Sequence, residues 1–204
     1  MLIGEIYTPI AEEHNDGVPG FPGLLQALKA HREATHKEVV DKLDKGIWSR
    51  LLVTLVLSPQ LIETGGRFEE PVATLASESL ERRWKAVRNY GERVETLDLE
   101  ERHGMRKALK KLRYNCEFFQ TLYDYEAQSF VKRLKKMQEL FGAINDARMA
   151  ERLIGLALER RRKDSKALAA AGYILGRHEA KVPLVWSKAK REWERLEKAS
   201  GFWR

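Results

Sequence analysis

HGMRKALKKLRYNCEFF, residues 103–119, sets Arg106, Lys107, Lys110, Lys111 and Arg113 close together with no acid among them until Glu117. At 100° per residue all five, with Tyr114, fall within about 80° of His103 on a helical wheel. The opposite arc collects Met105, Ala108, Leu109, Leu112, Cys116 and Phe119. One apolar stripe and one basic face predict an amphipathic helix that buries its stripe against neighbours. Asp98 followed by Glu101 matches a capping box and predicts where that helix begins.

The pattern extends outward from this helix. Residues 24–63, 72–96, 99–123, 127–143 and 146–198 are rich in Leu, Ala, Glu, Lys and Arg, and strand-like alternation is absent. Breaks are expected at NDGVPGFPG (15–23), SPQ (58–60), TGGRFEEP (64–71), Gly91, Asp164-Ser165 and GFW (201–203). Gly142 with Asn145-Asp146 predicts a further break and a fresh N-cap. The expected fold is an all-α helical bundle of about six to eight helices, with TGGRFEEP as the seam between two helical layers.

The chain has 204 residues, enough for one sizeable core, with 43% hydrophobic and 33% charged residues. LLVTLVL at 51–57 is its longest clean apolar run, far below the roughly 20 residues that span a bilayer. The N-terminus does not read as a secretory signal, and the single Cys116 excludes an internal disulfide; a cytoplasmic location is expected. Net charge is +7, and residues 101–148 hold 11 Lys and Arg against 6 Asp and Glu, so +5 is concentrated there.

A solvated helix face normally mixes signs to gain i,i+4 pairs. Here Lys107 and Lys111 are like charges four apart, as are Arg106 and Lys110, and each such pair is mildly destabilising. An external anion would compensate them. Cations three or four residues apart are separated along the axis by roughly 4.5–6 Å, which suits a chain of phosphates better than one small anion. In VKRLKKMQELFG the apolar Phe130, Leu134, Met137 and Phe141 share one side, with Lys132 and Lys136 opposite and Arg133 flanking: a candidate second wall. Trp84, among Arg82, Arg83, Lys85 and Arg88, reads as core, and Arg160 to Lys163 as the complement of a helix C-terminus. The histidines at 14, 31, 36, 103 and 178 offer no metal-ligand spacing, so no metal or other cofactor is expected. Cys116 lies on the core stripe and no nucleophile or phosphate-cradling motif occurs, so the expectation is a binder, not an enzyme.

HGMRKALKKLRYNCEFF, with FVKRLKKMQELFGAINDARMAERL, resembles the CHAD domain, the conserved histidine α-helical domain. The family's H-x-x-R-[VI]-x-x-K-[KR]-L-R-Y helix corresponds to His103, Arg106, Lys110, Lys111, Arg113 and Tyr114. Its L-[QK]-x-x-L-G-x-L-N-D element corresponds to Met137, Gln138, Phe141, Gly142, Ile144, Asn145 and Asp146. Lys107 replaces the usual apolar residue and adds charge. LLQALKAHREATHKEVV, GIWSRLLVTLVL, ESLERRWKAVRNYGERV, LGRHEAK (175–181) and the closing FW are also similar to the family, so the resemblance covers nearly the whole chain.

The resemblance implies two four-helix halves with a basic central groove, each half carrying a His-x-x-Arg helix. Only the second copy is visible, so 1–204 is expected to be one N-terminally shortened domain, with 1–63 the remainder of the first half and 72–204 the second. It also implies binding of inorganic polyphosphate, often at polyphosphate granules. The expected site is His103, Arg106, Lys107, Lys110, Lys111, Arg113, Tyr114, Lys132, Arg133 and Lys136. Arg32, His36, Arg50, Arg82, Arg83, Arg177 and His178 are additional groove candidates. Two other readings stand beside this one. In the first, nucleic acid is the ligand instead of a non-specific competitor, although interleaved exposed aromatics are not evident in the sequence. In the second, the basic face docks a phosphohydrolase or another protein. A complementing chain or second copy is a further expected partner.

Overall fold

The computed structural model describes residues 19–43, 46–61, 70–123, 125–199 and 201–204. Helices α1 (Phe21–Leu43), α2 (Ile47–Leu61), α3 (Val72–Gly91), α4 (Leu99–Phe118), α5 (Tyr125–Leu158) and α6 (Ser165–Lys198) account for nearly all of them, with no strand among the described residues. The all-α expectation holds. MLIGEIYTPIAEEH, most of NDGVPGFPG and the linker TGGRFEEP up to Glu69 lie outside the described residues.

The chain forms two compact units, residues 1–69 with 149–177 and residues 70–148 with 178–204. Residues 149–177, expected within 72–204, therefore cluster with the N-terminal segment.

The second unit packs an aromatic core. The Trp84 ring stacks on Trp193 at 5.6 Å, and Phe130 and Trp203 meet it edge to face at 5.8 and 6.2 Å. Each such ring removes about 150–250 Å² from water, which is why this unit's stability centres there. Helix α3 ends where it was expected to, at Gly91. That glycine lies against the Trp193 ring, and a Cβ there would enter the ring. Leu80, Leu109, Leu112, Leu134 and Met137 fill the space around the rings.

The first unit has an alanine-rich core. Ala150, Ala157, Ala167, Ala170 and Ala171 let helices approach closely around Leu24, Leu28, Ile154 and Ile174. Gly20 turns the chain into α1 with φ of 109°, its backbone lying against the Lys166 carbonyl, where only a residue lacking Cβ fits. The break expected at Asp164-Ser165 occurs, and Asp164 there accepts a 3.0 Å hydrogen bond from the Ala167 amide at the start of α6. Helix α1 buries only Phe21, Leu24, Ala27 and Leu28, all in its first third, and Ile47–Leu57 of α2 are exposed throughout.

Three expectations change. The region 24–63 is two helices, parted near Gly46, which has φ of 72°. The SPQ stop falls inside α2, which continues to Leu61. The break at Gly142 and Asn145-Asp146 does not occur, because α5 runs unbroken through it. Phe141 and Ile144 remain on the buried stripe there, and Asn145 spends its side chain on His103 instead of on a cap. Packing overrides a local preference that is weak to begin with.

Candidate functional site

Helix α4 starts at the predicted capping box. The Glu101 amide donates to Asp98 Oδ1 at 2.8 Å and the Asp98 amide donates back to Glu101 Oε2 at 3.1 Å. That returning bond, helped by Arg93 at 2.6 Å, holds the Glu101 carboxyl below its ordinary range. Four turns follow in which Met105, Leu109, Leu112 and Cys116 are buried, as the wheel predicted. Burial pushes the Cys116 thiol up to about 12, so at neutral pH it is a protonated core group and not a nucleophile.

The other side of α4 carries the charge. Lys107, Lys110, Lys111 and Tyr114 are exposed and Arg106 is half-buried. Among the described residues none of these four cations forms an ion pair. Lys110 Nζ lies 5.6 Å from the Tyr114 ring centroid, and the Arg113 guanidinium lies 4.7 Å from the same ring. The like-charge pairs read from the sequence thus find no ion-pair partner among the described residues.

At the start of α4, His103 and Arg106 join residues the sequence reading missed. A cleft of about 20 Å³, roughly the size of one water, is lined by Arg102, His103, Arg106, Phe141, Asn145 and Arg148, together with Leu99 and Ile144. His103 Nδ1 sits 3.1 Å from Asn145 Oδ1, which fixes the ring so that Nδ1 is the protonated nitrogen and donates. Arg102 donates from Nε to the Leu97 carbonyl at 3.0 Å and stacks over the Trp186 ring at 4.0 Å. Arg148 pairs with Glu100 at 2.9 Å, and that bond is the main reason the Glu100 carboxyl titrates below its ordinary range. Arg102 was legible only as the neighbour of His103, off the wheel's basic centre, and Arg148 only as the residue that follows Ile144-Asn145-Asp146-Ala147 on another helix.

Other predicted residues are engaged elsewhere. Arg113 donates to Gln138 at 2.7 Å and to Glu117 at 2.7 Å, so it ties α4 to α5. Lys135 reaches the same Glu117 at 3.4 Å. Lys136 pairs at 2.9 Å with Glu192, a nearly buried carboxylate that Arg195 also reaches at 3.3 Å. Lys132 is exposed and Arg133 half-buried, with no ion pair among the described residues. On α3, Arg82 is exposed, while Arg83 has a buried Nε without a hydrogen-bond partner. Arg32, His36 and Arg50 are exposed on α1 and α2 of the first unit. Arg177, which reaches the Tyr173 hydroxyl at 3.5 Å, ends a segment of that unit, and His178 begins one of the second.

Among the described residues no group of three or more His, Cys, Asp and Glu could hold a metal ion, and no helix is long and apolar enough to cross a membrane. In a comparison with known families, the model described as the CHAD domain matches residues 1–155, a span that contains α4 and the cleft. No curated protein and no solved structure matches the chain.

Proposed function

Because the chain belongs to the CHAD domain family, we propose that it is an inorganic polyphosphate-binding module that captures the phosphate chain electrostatically along α4. The observation that carries this reading is the row Arg106, Lys107, Lys110 and Lys111, which runs about one and a half turns with no acidic partner among the described residues. A protein that leaves four cations unpaired on one face, next to acids paired elsewhere, presents them to an anion outside itself. Arg106 supplies paired planar donors while the lysines act as mobile point charges, so successive phosphates need not sit in identical positions. His103, held by Asn145, borders the row at one end, and the Tyr114 hydroxyl adds a neutral donor at the other.

In this reading the chain binds without catalysis, in the cytoplasm and at polyphosphate granules. Arg113 and Lys136 support the walls by tying helices together instead of meeting the ligand first.

Nucleic acid remains the second reading, and one observation favours it. Tyr114 and Phe118, which lie on the same side of α4 as Lys107 and Lys111, are 49% and 77% exposed. Exposed rings beside a basic row are what a single-strand binder uses to stack bases. The discriminating experiment is a competition titration at fixed ionic strength between long-chain polyphosphate and single-stranded and duplex nucleic acid of equal charge. Polyphosphate is expected to win, and Phe118→Ala to leave its affinity unchanged. Nucleic acid winning, with Phe118→Ala weakening it, would reverse the assignment. Incubation with tripolyphosphate and magnesium is expected to release no phosphate.

A further inference from the structure

We propose that α1 and α2 form the interface of a homodimer, the partner being a second copy of this chain. The first unit's two leading helices carry an apolar surface left exposed among the described residues. On α2, Ile47, Trp48, Leu51, Leu52, Val53, Leu55, Val56 and Leu57 are 44–72% exposed, and Val39, Val40 and Leu43 on α1 add to them. These α2 residues cover most of the helix circumference, and a helix apolar all round belongs in a core. A second copy docking on the same two helices supplies apolar cover for it.

The size of the surface fits a second copy. Eleven large apolar side chains at about half exposure present on the order of 1,000 Å², against the roughly 800 Å² per partner of a stable interface and the 300–600 Å² of the largest patch on an ordinary monomer. The charge fits too. Between Lys29 and Leu61 there are six Lys and Arg and four Asp and Glu, so two copies of this segment meet with only a small excess of like charge. From Ile47 to Leu61 the single charged residue is Arg50. A two-fold arrangement also closes on itself, which limits assembly to a pair.

Sedimentation equilibrium on the full chain at about 10 µM tests this, the expected mass being twice 23.6 kDa. Leu55→Asp with Val56→Asp, at positions 58% and 72% exposed, should weaken association at least tenfold while the helical circular dichroism signal persists. Val53→Lys, 57% exposed, serves if the double variant loses helix. Phe118→Ser, on the other unit's exposed ring, should leave the dimer intact. A monomeric wild-type chain overturns the proposal. So does a dimer that survives both α2 variants, or one that Phe118→Ser dissolves. If the wild type is monomeric and removal of residues 1–16 creates the dimer, that segment is the occupant of α2 and the proposal fails in its favour.

Discussion

Glu81 on α3 receives donors from the last two residues of the chain. Trp203 Nε1 and Arg204 Nε both donate to Oε2 at 3.0 Å, and a second Arg204 nitrogen donates to Oε1 at 3.2 Å. The Arg204 bond is the largest cause, followed by the Trp203 bond, and together they lower the Glu81 carboxyl from its ordinary 4.5. A depressed folded-state value means the stabilisation is complete above about pH 4.5 and is lost as pH falls through the folded value. Glu81→Gln should therefore cost about 1 kcal/mol at pH 7, the surface exposure of Arg204 keeping it from being more. Urea titrations should show that gap narrowing as pH falls below 4.5 and wild-type Glu81 takes up its proton. A gap that stays constant with pH would mean Glu81 contributes packing alone. Arg113 makes a related point about side chains read from a wheel. Its angle put it with the ligand-facing cations, yet its Nε and one terminal nitrogen are committed to Gln138 and Glu117. The partners lie on α5 and one turn along α4, and pairing across 25 residues leaves no trace in local spacing.

On the scale of one element, α4 was the most legible part of the chain. Its capping box, its buried stripe and its unpaired basic row all follow from periodicity, because each depends on neighbours three or four residues away. Helix α5 was less legible. Gly142 and Asn145 are ordinary helix-ending residues, and only the His103 contact and the buried Phe141 and Ile144 explain why the helix continues. The exposure of α2 was not legible at all, since an apolar run looks the same whether its cover is present or not. The unpaired row on α4 implies a conflict between stability and binding. Lys107→Glu places an acid four residues before Lys111, replacing a repulsive pair by an attractive one in the favoured orientation. It should raise the unfolding free energy by about 0.5 kcal/mol and weaken polyphosphate binding several-fold, read by denaturation and by titration calorimetry respectively. If affinity were unchanged, the row would be a solvated face and no binding wall.

For the whole molecule, two kinds of association with opposite responses to salt follow from where the charges lie. Binding along α4 draws on the +5 held by residues 101–148, and neutralising phosphates there releases the counterions condensed on the ligand. Four such contacts give a log-log slope of roughly −3 to −4, so affinity should fall about a hundredfold between 50 and 200 mM sodium chloride. The interface on α1 and α2 is apolar, with one charged residue between Ile47 and Leu61, and its driving force is removal of hydrocarbon from water. Added salt has few charges to screen there, and what like-charge repulsion remains is weakened. The dimer should therefore persist, or tighten slightly, across the same titration that strips polyphosphate away. Sedimentation with a fluorescent polyphosphate reads both at once. The protein should keep its mass at 200 mM salt while the label moves to the free fraction. If mass and label fell together, self-association would be held by the polyanion bridging two basic faces, and α2 would have no part in it.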